Sequence, residues 1–123
     1  MDLYREEILE HWQNPQNFGK MRDADVVIEQ TNPLCGDVIT MYFKLDKKRL
    51  TIDDVRFTAS GCAISIAAAS ILSGALKGKN AEKIEKMTGE DVLGLIGAKR
   101  QGFPPARLRC ALLPLEAVRR IFQ

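Results

Sequence analysis

Three cysteines, one aspartate and one arginine carry most of the chemical potential of this chain. Cys35 and Asp37 share the stretch "NPLCGDV". In an extended segment residues i and i+2 point the same way, so a thiolate and a carboxylate can aim at one point, with Gly36 between them permitting close backbone approach. A plainer account stays open there, in which Asp37 caps a turn and Cys35 is a small buried apolar residue. Cys62 follows "TASG" and opens an apolar run. Unpaired backbone N–H groups at a helix start favour a thiolate, although a packed helix-start cysteine fits as well. Cys110 follows "FPPARLR". Arg107, three residues earlier, shares its helical face, Arg109 points elsewhere, and the alternative is a core cysteine within "CALL". Each thiol stands at an element boundary beside glycine, proline or positive charge. One tetrahedral site of three sulfurs and one oxygen accounts for all three, and it suits Zn²⁺ or an iron–sulfur cluster. The spacing is not C-x-x-C, so it does not name the ion.

The elements that must position these residues follow from the patterning. "VVIEQTN", "DVITMYFKL" and "LTIDDVRFTA" are rich in β-branched and aromatic residues, with "DKKR" as a solvated connector, and predict three strands. From Ala63, "AISIAAASILSGALKG" is apolar nearly all round and predicts a helix buried against the sheet, its Ala/Ser-rich face "SIAAAS" packing closely, with Gly78 at its end. Ahead of the strands, Asp2 is expected to cap a helix whose Tyr4, Ile8, Leu9 and Trp12 recur at helical spacing, ended by Pro15 and Gly19. Asn80 and Thr88 read as caps of two short helices, Thr88 with Asp91 as a capping box. After the linker "GAKRQGFPP", Pro105 suits the first turn of a last helix in which Leu108, Leu112, Leu115 and Phe122 face inward and Arg119 and Arg120 meet the dipole. Pro114 is expected to kink that helix or to mark a later start. Strands followed by helices, without βαβ alternation, predict an α+β fold: a three-stranded antiparallel sheet with helices packed on one face.

Residues 1–123 are expected to form a single domain, large enough to bury a core without staples. With 46% hydrophobic and 28% charged residues and a formal net charge of +2, the composition is that of a globular protein and argues against nucleic acid as a partner. No signal pattern or membrane-length apolar run is present, so a cytoplasmic location is expected, where three cysteines do not read as a disulfide framework. A hydrolytic or deaminating zinc enzyme lacks its "H-x-E" and "C-x-x-C" signatures here. His11, the one histidine, sits in the first helix away from the cysteines, where a solvated or packed role is expected. A cysteine–histidine nucleophile pair fails for the same reason.

The chain resembles the IscU/NifU N-terminal/SufU family of iron–sulfur cluster assembly scaffolds over nearly its whole length. The likeness is carried by "ILEHWQNPQNFG", "NPLCGD", "FTASGCAISIAAASIL" and "PPARLRCALLPLEAV", in that order. It implies an IscU/SufE-like fold and makes Cys35, Asp37, Cys62 and Cys110 the ligands of a [2Fe–2S] cluster or iron, or alternatively of Zn²⁺. Cys110 matches the persulfide acceptor of IscU-type members and Cys35 that of SufU-type members. Arg107 matches an arginine near the site in SufU-type members. The implied function is a scaffold, most simply non-enzymatic, that takes sulfur from a cysteine desulfurase, assembles a [2Fe–2S] cluster and passes it to acceptor apoproteins or carriers. The alternative is a SufU-like zinc-dependent persulfide acceptor, a sulfurtransferase. Two departures matter: Arg109 replaces the histidine or lysine usual before the third cysteine, and the region ahead of that motif has IscU-like length. An arginine has no lone pair to give, which leaves Asp37 as fourth donor. "FPPAR" resembles in part the site by which an Hsp70-type chaperone grips IscU. Whether a bound cluster brings two chains together as a homodimer is left open.

Overall fold

The computed structural model describes residues 3–33, 36–97 and 103–122. Its elements run α1 (Leu3–Gln13), β1 (Val26–Asn32), β2 (Asp37–Asp46), β3 (Thr51–Ser60), α2 (Ala63–Leu76), α3 (Ala81–Lys86), α4 (Gly89–Ile96) and α5 (Pro105–Val118). The three strands form one antiparallel sheet in the order β1-β2-β3, as the α+β reading expects. Along β2 the side chains alternate with the pleat: Ile39, Met41 and Phe43 are fully buried, whereas Val38, Thr40 and Tyr42 on the opposite face are only half-buried. The buried face is covered by α2, which packs on β3, and by α5, which packs on β1 and β2. Among the described residues no helix is long and apolar enough to cross a membrane.

Small residues let α2 approach closely, since Ala67, Ala68, Ala69 and Ser70 are all buried. Its buried serines also anchor the chain entering the sheet: Ser70 Oγ accepts the Gln16 N–H at 2.8 Å and lies 2.7 Å from His11 Nδ1, and Asn17 Nδ2 donates to Ser73 Oγ at 3.0 Å. His11 is thus a packed helical histidine. The predicted caps form as expected: Asn80 Oδ1 accepts from Lys83 N at 2.9 Å, and Thr88 and Asp91 make a reciprocal capping box. In the "DKKR" connector Asp46 Oδ1 accepts the N–H groups of Lys48 and Arg49, closing a solvated turn.

Four expectations need correction or extension, or fall elsewhere. In α1 Ile8 enters the core, but Leu9 and Trp12 are each 45% exposed, so the inward stripe is narrower than the spacing implied. Asp2, the Tyr4 side chain and the middle of the 97–105 linker lie outside the described residues. The last helix does not start after Pro114. It runs from Pro104 as N-cap, with Pro105 at its first position, as one helix that includes Pro114 and ends at Val118, and Leu115 is buried while Leu108, Leu112 and Phe122 pack half-buried on the core. Arg119 and Arg120 reach across the fold instead of only closing the helix: Arg119 Nη2 donates to Met87 O at 2.9 Å, and Arg120 Nη1 to Glu29 O at 2.8 Å.

Candidate metal centre

The antiparallel register decides which ends meet. Val38 of β2 pairs with Ser60 of β3, so Asp37, one residue back, lies beside Gly61 and Cys62 where the chain turns from β3 into α2. Asp37 also pairs with Asn32 at the end of β1. Gly61 has φ +147°, and a Cβ there would sit within the van der Waals shell of Asp37 Oδ1, with Cγ at 2.8 Å and Cα at 3.0 Å. Only glycine allows this close approach. Cys62 is the N-cap of α2 in extended conformation, and its side chain makes no capping bond. Cys110, in the second turn of α5, projects into the same volume from the third side.

The Asp37 carboxylate, a Cys62 sulfur and a Cys110 sulfur offer ligand atoms that all lie within 4.8 Å of one another. A tetrahedral zinc with Zn–S near 2.3 Å and Zn–O near 2.0 Å separates its ligand atoms by roughly 3.3–3.8 Å, so contraction by about 1 Å would close the trio on one ion. Two soft sulfurs with one oxygen are also the donor chemistry of zinc and of iron–sulfur species, and the residues fit such a group. Cys35 lies outside the described residues.

Asp37 is only 1% exposed. Burial pushes its carboxyl up, but hydrogen bonds from the Cys110 thiol, the Cys62 N–H, the Ser65 hydroxyl and the Cys62 thiol together outweigh that and hold it below the usual carboxylate range. The Cys62 N–H donates to Oδ1 at 2.9 Å, and the Cys62 thiol to Oδ2 at 3.5 Å. The guanidinium of Arg107 faces both sulfurs, as its helical position predicts. Its pKa is raised above the ordinary arginine value by its electrostatic interaction with Cys62 first and Cys110 second. Arg109 points away, lining a small surface recess with Thr31, Asn32, Pro33 and Glu116.

Two polar residues of the site escape a reading of the sequence. Asn32, buried at the end of β1, places Nδ2 3.8 Å from the Cys110 sulfur. Ser65, 2% exposed in the first turn of α2, donates to Asp37 Oδ2 at 2.9 Å. The available signal for Ser65 was its position three residues after Cys62, on the same helical face, within a segment whose composition reads as packing alone.

Comparison with known proteins places the chain in a family. The family model for the NifU-like N terminal domain matches residues 3–122. The iron-sulfur cluster assembly scaffold protein IscU 1 of Archaeoglobus fulgidus is 38% identical over 118 residues, covering 96% of this chain and 73% of that protein. The zinc-dependent sulfurtransferase SufU of Bacillus subtilis is 39% identical over 131 residues, covering 94% and 86%. Among solved structures, a putative iron-sulfur cluster assembly scaffold protein for the SUF system from Fervidobacterium islandicum superposes with a TM-score of 0.74 at 32% identity, over 92% of this chain and 91% of that one. The N-terminal part of a NifU-like protein from Brucella abortus reaches 0.82 at 21% identity, over 98% and 92%, a likeness of fold. The chain belongs to the NifU-like N-terminal domain family, which brings together the IscU, NifU and SufU proteins.

Proposed function

We propose that this single domain is an iron–sulfur cluster assembly scaffold. A [2Fe–2S] cluster, its cargo, is built on Cys35, Asp37, Cys62 and Cys110 with sulfur from a cysteine desulfurase, then passed to acceptor apoproteins or carriers. The observation that carries the reading is the convergence of Asp37, Cys62 and Cys110 from three different elements on one volume less than 5 Å across. Thiolates hold iron–sulfide strongly, whereas a carboxylate is a harder donor and easier to displace, so Asp37 is the corner at which the cargo is released. Three thiolates and a carboxylate around a 2+ cluster leave about two negative charges, and Arg107 stands where it offsets them.

The position of Arg107 against both sulfurs, with the likeness to the B. subtilis zinc-dependent sulfurtransferase, favours one second reading. There Zn²⁺ rests on the same four residues, and docking to the desulfurase frees one thiolate, Cys35 or Cys110, to accept persulfide, while Arg107 pairs with the ligand that swings away. An Hsp70-type chaperone would have to engage the 103–107 segment through Pro104 and Pro105, which stand exposed, because Phe103 is committed to the core.

Anaerobic purification followed by elemental analysis and a visible spectrum tests the first reading. Reconstitution with ferrous iron, cysteine, a desulfurase and a thiol reductant that takes the persulfide sulfur to sulfide is expected to give about two irons and two sulfides per cluster, with charge-transfer absorbance that is lost in Cys62→Ala and Cys110→Ala. Absence of cluster absorbance, with strong stimulation of desulfurase turnover by the zinc-loaded protein and no iron present, would replace it with the second.

A further inference from the structure

We infer that Ser65 is a positioning residue that binds the carboxylate corner of the metal site to the Cys110 corner, and that Pro114 makes this link available. The inference rests on the metal-site reading above and adds to it two residues that hold no metal themselves.

Proline has no N–H, so Pro114 leaves the carbonyl of the residue four positions earlier without its helical donor. That residue is Cys110. Its carbonyl is not left bare: Ser65 Oγ donates to Cys110 O at 3.3 Å, from a different helix. The same hydroxyl donates to Asp37 Oδ2 at 2.9 Å, and it also lies 3.6 Å from the Cys62 sulfur. A serine hydroxyl carries one proton, so the two acceptors share it. One buried side chain in the first turn of α2 therefore touches ligand residues from β2, α2 and α5.

The consequence for Asp37 is geometric. Its Oδ1 is held by the Cys62 N–H and its Oδ2 by Ser65, so the carboxylate plane is set before any ion arrives. Hydrogen-bonded partners of metal ligands hold the ligand in its binding orientation, and their loss typically weakens metal binding about 10–100-fold. Removing the Ser65 hydroxyl leaves the Oδ1 anchor in place, which puts the expected loss at the lower end, about tenfold. Ser65 also satisfies a buried carbonyl, a purely structural service, and the two roles separate cleanly. In Ser65→Ala the Cys110 carbonyl loses the Ser65 hydroxyl, and adding Pro114→Ala gives that turn of α5 a backbone N–H.

The test measures Zn²⁺ affinity by competition with a chromophoric chelator, and thermal unfolding of the metal-free protein, for wild type, Ser65→Ala, Ser65→Ala/Pro114→Ala, Asp37→Ala and Asp37→Ala/Ser65→Ala. Ser65→Ala is expected to bind zinc about tenfold more weakly. Adding Pro114→Ala restores thermal stability but not zinc affinity. In the Asp37→Ala background, Ser65→Ala changes zinc affinity by less than about twofold, because the group it orients is gone. Recovery of zinc affinity together with stability in the Pro114→Ala double variant, or an undiminished Ser65→Ala effect without Asp37, overturns the inference and leaves Ser65 a structural residue. Wild-type affinity in Ser65→Ala overturns it as well, with the metal site standing. A wild-type protein that binds no zinc removes the metal-site reading itself.

Discussion

Gly61→Ala is the sharpest perturbation of the site that leaves every candidate ligand chemically intact. At φ +147° an L-residue is strained, and the new methyl would occupy space now held by the Asp37 carboxylate. Backbone strain of this kind costs about 1–3 kcal/mol. To relieve the overlap, Asp37 must swing away and give up the Cys62 N–H bond at 2.9 Å, a bond to a charged acceptor worth about 1.5–3 kcal/mol. The two together give roughly 3–5 kcal/mol. At roughly 3–5 °C of melting temperature per kcal/mol for a domain of this size, the metal-free protein should melt about 10–20 °C lower. Gly36→Ala is the internal control: φ is +70° but among the described residues nothing lies within 4 Å of the added carbon, so the backbone strain is what it tests. Circular dichroism melts of both variants in the presence of a chelator, followed by zinc titration, give the comparison. If Gly61→Ala melts within a few degrees of Gly36→Ala and binds zinc like wild type, then Asp37 does not sit against Gly61 and the derived geometry is wrong.

Replacing Arg107 with alanine should weaken retention of zinc or cluster at low salt about threefold, with the effect fading as ionic strength rises, whereas Arg109→Ala should stay within error of wild type; chelator competition at two salt concentrations reads both. Asp25 accepts the Leu45 N–H at 2.8 Å, and that bond is the main cause of its lowered carboxyl pKa. A carboxyl with a lowered folded-state value contributes stability above its unfolded pKa and loses it as pH falls through the folded value. Asp25→Asn should therefore melt below wild type at pH 7, with the gap closing as pH falls below the ordinary carboxylate range, and a gap that is constant with pH would count against this. Thr88→Ala breaks the capping box of α4 and should cost about 1 kcal/mol, seen as a shift of a few degrees in thermal melts with zinc binding unchanged.

Local patterning carried the secondary structure of this chain well. Three strands, the buried helix from Ala63, the Asn80 and Thr88 caps and the Pro105 helix start all depend on residues close in sequence, where side-chain period, capping oxygens and proline's missing N–H act directly on the backbone. The types of Asp37, Cys62 and Cys110 likewise announced their chemistry, and the spacing of Arg107 from Cys110 put both on one helical face. Their meeting was another matter. It depends on the pairing of Val38 with Ser60, which sets the start of β2 beside the end of β3, and on α5 packing against β1, β2 and α2, neither of which a linear pattern encodes. Leu9 and Trp12 illustrate the same limit from the other side, since a helical period shows that a face exists but not how wide a partner will cover it. Ser65 and Pro114 were legible only as a packing residue and a helix breaker. Their link appeared once α2 lay against α5, because a hydroxyl reaches the Cys110 carbonyl through space, across 45 residues of chain, and not along the sequence.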